Sequence, residues 1–125
     1  MTVVPLLLPP KPLRWRGAAK ADFMAFPRSV RREMGFGLFL AQMGEPPGRG
    51  ARTLRGFGGA SVVELRERRA DGAYRAVYTV GFPEAVYVLH AFQKKSKRGI
   101  ATPKTEIDRV KRRLKELIEQ RGLRP

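Results

Sequence analysis

Residues 62–92, VVELRERRADGAYRAVYTVGFPEAVYVLHAF, decide the fold. From Val63 the stretch alternates: Val63 and Leu65 point one way, Glu64, Arg66 and Arg68 the other. That period of two belongs to a strand with one face turned to a core. Asp71-Gly72 is a hairpin signal. Residues 74–80 read as the next strand, rich in aromatic and β-branched side chains, with Arg75 directed opposite to Tyr74 and Ala76. Residues 81–84 supply a second turn and 85–92 a third strand, so the segment predicts an antiparallel meander. Regular alternation in that third strand would place His90 with Val86, Val88 and Phe92, and turn Tyr87, Leu89 and Ala91 the other way.

Upstream, residues 13–16 read as a short first strand and 18–26 as a helix, with Ala19, Phe23 and Phe26 on one face. Pro27 separates it from a second helix over 28–43, whose Val30, Met34, Leu38 and Ala41 recur at helical spacing. Gly35 and Gly37 either weaken that helix or mark close packing; Gly44 suits its C-terminal end, and Pro46-Pro47 prevents continuation. Residues 46–59 read as loop. Downstream, Thr102 and Pro103 suit the cap and first position of a final helix that Gly122 ends. Its apolar stripe is Ile107, Val110, Leu114, Leu117 and Ile118. The order is β-α-α-β-β-β-α, an α+β class. One domain over 12–121 is expected, between a proline-punctuated N-terminal tail (1–11) and a short C-terminal tail (122–125).

Composition narrows the function. Apolar content of 42% with 30% charged residues describes a globular chain rather than a disordered one. A formal charge of +15 implies an anionic partner, nucleic acid before all others. Twelve of the 26 basic residues, but only 4 of the 11 acidic ones, fall after residue 93. Without cysteine there is no disulfide or thiolate metal site, and one histidine excludes a multi-histidine site; no metal and no cofactor are expected. The apolar residues 3–8 are too short to span a bilayer, are interrupted by Pro5 and lack a basic leader, so a cytoplasmic protein without membrane attachment is expected.

Lys94, Lys95, Lys97 and Arg98 follow the apolar run of the last strand, a way to hold a polyanion at a fixed place. Arg66 and Arg75, on adjacent strands, offer planar forks that match phosphate oxygens. Read from residues alone, either arginine fits equally well as the partner of Glu64 or Glu67 on a solvated face. Lys94 and Lys95 fit either proton transfer or electrostatic tethering to RNA. His90 suits a general base by its ordinary pKa, although a lone histidine in an apolar strand is more often structural. Tyr78 shares a good core face with Tyr74 and Ala76. The glycine-rich residues 56–59 lack the lysine-serine ending of a phosphate loop.

The runs LRGFGG, VVELRERR, GAYRAVYTV and VYVLHAFQKKSKRGIATPKTEIDRVKRRL, in this order, resemble the phage-derived Gp49-like group of the HigB/RelE toxins. LRW and FPRSVRREMGFGLFLAQMGEPP match the usual opening, so the resemblance covers roughly residues 12–117 and leaves the N-terminal tail outside. It implies a small twisted sheet with two N-terminal helices on one face and an open face for substrate. It further implies a type II toxin that cleaves mRNA on the ribosome without metal, held in check by a helix-turn-helix antitoxin. On that reading Arg66, Arg75, Lys94 and Lys95 carry the catalysis, and Arg68, Lys97, Arg98, Lys111 and Arg112 bind RNA. The alternative is a non-enzymatic binding module, either a ParE-like gyrase inhibitor or a phage-derived nucleic-acid binder.

Overall fold

The computed structural model describes residues 9–95 and 101–122. In chain order the elements are β1 (Leu13–Trp15), α1 (Ala19–Met24), α2 (Arg28–Gln42), β2 (Ala51–Thr53), β3 (Val62–Arg69), β4 (Gly72–Thr79), β5 (Val86–Lys94) and α3 (Lys104–Gly122). The five strands form one sheet in the order β1-β5-β4-β3-β2. The meander of β3, β4 and β5 is antiparallel throughout, and β1 adds to β5 in parallel. One strand is additional to the predicted pattern. β2 lies inside the segment read as loop, and its three residues, ART, are too few for alternation to be visible. Pairing with Val63, Glu64 and Leu65 is what makes them a strand.

α1 and α2 cover one face. Val30, Met34, Leu38 and Ala41 are all buried there, as their spacing predicts. Trp15, Phe23, Phe26 and Tyr74 continue that core as a chain of tilted and edge-on rings with centroids 5.0–5.7 Å apart. Gly37 marks close packing: a Cβ at that position would stand 3.1 Å from Leu65. Gly44, at φ +81°, ends α2 as expected, with the Glu45 amide donating to the Leu40 carbonyl at 2.9 Å.

α3 packs on the other face, so that face is not wholly open. Val110, Leu114 and Leu117 are buried against Val62, Val77, Tyr87 and Leu89. Ile118, expected in the same stripe, is 49% exposed, and the buried set instead includes Arg113. Pro103, rather than Thr102, accepts the first helical bonds, from the amides of Glu106 and Ile107.

The regular alternation expected in β5 breaks at one residue. Val77 pairs with His90 and Tyr78 with Val88, which leaves Leu89 as a bulge. The extra residue reverses the facing of everything after it. Val86 and Val88 face α1 and α2, but His90 and Phe92 face α3, contrary to the expectation that all four share a face. Arg113 stabilises the irregularity by donating from Nη1 to the Leu89 carbonyl at 2.9 Å.

Gly72 opens β4 at φ +123°, where a Cβ would stand 2.5 Å from the Lys94 carbonyl oxygen. Both the dihedral and the space demand glycine. Gly72→Ala should therefore cost roughly 1–3 kcal/mol in urea denaturation. An unchanged urea midpoint would contradict that packing. No helix among the described residues is long and apolar enough to cross a membrane.

Candidate nucleic-acid interface

Cross-strand partners share a face of a sheet, so the register lays out the α3 side row by row. Arg52, Glu64, Val77 and His90 form the first row. Arg66, Arg75 and Phe92 form the second, and Arg68, Ala73 and Lys94 the third. Five cations and one carboxylate thus occupy three consecutive rows at the end of the sheet where β5 runs out. The strands bring together Arg66, Arg68, Arg75 and Lys94 from the expected set. Lys95 is exposed just beyond β5, its Cα against Gly72. Lys97 and Arg98 lie outside the described residues.

The two arginines of the second row live in different surroundings. Arg75 is only 1% exposed. Its Nη1 donates to the two Glu64 oxygens at 3.4 and 3.5 Å and to the Thr102 hydroxyl at 3.3 Å. Burial pushes its pKa down, Glu64 opposes that, and the neighbouring Arg66 adds to it. The expectation that Arg75 touches phosphate is corrected on that ground: its guanidinium is enclosed beneath the segment that leads into α3. The ion pair with Glu64 does form, in the interior rather than on a solvated face. Arg66 has no such carboxylate. It is half-buried, makes no salt bridge among the described residues, and its Nη1 is enclosed without a hydrogen-bond partner. With Glu64 committed to Arg75 and Arg52, the half-buried guanidinium directly opposite keeps a charge that no carboxylate among the described residues offsets.

Three residues outside the expected site complete the cluster: Glu64, read only as a possible ion-pair partner, Thr102, read only as a helix cap, and Arg52, which carried no expectation. Glu64 is buried and accepts from Arg52 Nη2 at 3.3 Å as well as from Arg75. Thr102 turns its hydroxyl away from the α3 amides. It donates to Glu64 Oε2 at 2.7 Å and accepts from Arg52 at 3.2 Å and from Arg75. Arg52 comes from β2, the strand that periodicity could not reveal. Glu64 alone had a visible signal, since it alternates in phase with Arg66 and Arg68.

The profile of the family described as "Phage derived protein Gp49-like (DUF891)" matches residues 21–115, from α1 well into α3. The chain belongs to the phage-derived Gp49-like family. This is a RelE/HigB-like toxin family, and the five-stranded α+β architecture agrees with a RelE-like fold. Among curated proteins there is no match.

In this Gp49-like fold the remaining candidates separate from the cationic rows. Lys111 sits over the Phe57 ring at 5.9 Å, and Arg112 is exposed on the outside of α3. Both are more than two helical turns from Thr102, roughly 13–15 Å along the axis. Tyr78 is buried in the core under α2, where burial pushes its phenol up. His90 is stacked on Phe92 and caught between Glu106 and Arg113, with Nε2 2.7 Å from Glu106 Oε1 and Nδ1 3.2 Å from Arg113 Nη1. A guanidinium only donates, so Nδ1 must accept, and the proton sits on Nε2 and points at Glu106. Both ring nitrogens are occupied, which makes His90 a structural residue rather than a general base.

His90 gives the fold a pH dependence. Burial pushes its pKa below the ordinary value of 6.5, against the pull of Glu106. The unfolded chain then takes up the proton first, so stability present above about pH 6.5 falls as the pH drops toward the folded value. The Arg121 guanidinium holds the Glu84 carboxyl at about 2, which adds a second loss below its ordinary 4.5. The urea midpoint should fall between pH 7.5 and 5.5, and His90→Gln should flatten that fall. An equally steep slope in the variant would show that another group titrates there.

Proposed function

We propose that this chain is the toxin of a type II toxin–antitoxin pair and cleaves mRNA on the ribosome. One observation supports the reading: Arg66, half-buried and without a salt bridge among the described residues, lies beside a second guanidinium that has taken the carboxylate of these rows. Arg68, Lys94 and Arg52 surround it on the same face. Such a cluster suits a phosphodiester, and pairs of cations stabilise the extra charge that a pentavalent phosphate develops.

In the reaction the ribose 2′-oxygen bonds to phosphorus while the bond from phosphorus to the 5′-oxygen breaks. One proton leaves the 2′-hydroxyl and one reaches the departing 5′-oxygen, giving a 2′,3′-cyclic phosphate and a 5′-hydroxyl. Arg66, with Arg68, Lys94 and Lys95, contacts the phosphate. Arg75 acts from beneath by holding Glu64 away from Arg66. Lys111 and Arg112 extend the basic surface toward ribosomal or messenger RNA, and Lys97 and Arg98, outside the described residues, add their charge to the RNA-binding set. The partner that restrains the toxin is a helix-turn-helix antitoxin.

The test is primer-extension mapping of a reporter mRNA after brief induction, in translating and in translation-blocked extracts. Cuts within codons that vanish when translation stops support the reading. Growth arrest without cuts overturns it in favour of a binding target such as gyrase.

A further inference from the structure

Cations from three strands converge on two consecutive residues ahead of α3. Lys94 of β5 donates to the Ala101 carbonyl at 2.9 Å. Arg52 of β2 and Arg75 of β4 both donate to the Thr102 hydroxyl. A hydroxyl has one proton to give and two lone pairs, and all three are used here: one bond to Glu64 and one from each arginine. Had Thr102 served only to start the helix, its oxygen would face the α3 amides; it faces the buried carboxylate instead.

Resting on the RNA-cleavage reading, we infer that Thr102, with Glu64 behind it, is a positioning residue of the phosphate site. Thr102 touches no substrate. It fixes the carboxylate that Arg52 and Arg75 share, and so fixes where the charge opposite Arg66 lies. Losing the hydroxyl leaves Glu64 one donor short and Arg75 Nη1 one acceptor short, on a guanidinium whose enclosed Nε already has no partner, so the fork is held less firmly against the carboxylate. The guanidinium of Arg66 then faces a displaced like charge, and its aim at the phosphate changes. A geometric error on this scale acts on the chemical step more than on binding.

The experiment compares wild-type protein, Thr102→Val and Thr102→Ser on programmed ribosomes, measuring the maximal cleavage rate and the half-saturating ribosome concentration. Thr102→Val should lower the maximal rate roughly ten- to hundredfold while half-saturation stays within about threefold. Thr102→Ser, which restores the hydroxyl, should recover most of the rate. The nitrogen-15 signal of the Arg75 Nε–H should shift in Thr102→Val and return in Thr102→Ser. Equal rates for wild type and Thr102→Val would overturn the inference and leave RNA cleavage standing. A Thr102→Ser variant as slow as Thr102→Val would do the same. If Thr102→Val does not fold, Thr102→Ala takes its place; loss of folding in both would assign the residue to the fold alone and end the inference. Absence of ribosome-dependent cuts by the wild type would instead end the RNA-cleavage reading, and this inference with it.

Discussion

Arg66→Ala should lower ribosome-dependent cleavage by roughly 10²–10³-fold, the usual consequence of removing one preorganised donor from a developing negative charge. The same variant should melt no lower than the wild type. Among the described residues Arg66 has no carboxylate to abandon, and its enclosed Nη1 has no bond to lose. Its charge also works against Arg75, so removing it relieves a like-charge contact inside the fold. Activity and stability thus separate at a single position, and induced expression of Arg66→Ala should leave cells growing. A variant that stayed toxic at wild-type expression would remove Arg66 from the site. Arg75→Ala is a poorer probe, because it strips Glu64 of its buried partner and mixes lost activity with lost folding.

Glu64→Ala should have the largest effect on stability, roughly 3–5 kcal/mol, because it leaves Arg75 as a buried charge without its anion. That is a large share of the roughly 5–15 kcal/mol by which domains of this kind are stable. Thr102 would lose an acceptor and Arg52 its ion pair in the same step. Equilibrium urea denaturation measures the effect directly. Replacing both members of the pair, Glu64→Leu with Arg75→Leu, should recover much of the loss, since two apolar side chains need no partners. A loss below about 1 kcal/mol for Glu64→Ala would mean that water reaches Arg75, against its burial.

Much of this architecture can be read from residues alone. The meander follows from alternation and from Asp71-Gly72, and α2 from four apolar residues at helical spacing. Arg66 and Arg75 are legible as residues of adjacent strands, but their direct pairing is not: the turn is Ala70-Asp71, with Gly72 already in β4, and a turn centred on Asp71-Gly72 would have set Arg68 against Arg75. Other features depend on contacts that no local pattern records. β2 is a strand only because β3 is beside it, so Arg52 had no reason to be noticed. The bulge at Leu89 adds one residue without changing composition, and that is enough to carry His90 from one face to the other. Thr102 and Pro103 look like a helix start, yet the hydroxyl goes to a carboxylate 38 positions earlier. The burial of Arg75 followed the same logic: charged residues on antiparallel sheets are usually wet, and this one is buried where Glu64 and the Thr102 hydroxyl meet it.

The parallel contact between β1 and β5 sets an order of events during synthesis. Leu13 pairs with Val86 and Trp15 with Val88, so the first strand made must wait for the last. Until β5 emerges from the ribosome, β1 has no strand to pair with and the β3–β4 hairpin lacks its neighbour on the β4 side. Ala101 and Thr102 follow later still. Contacts this distant in sequence form slowly and late. A growing chain therefore carries its arginines without the frame that aims them until β5 and then the residues ahead of α3 have been made.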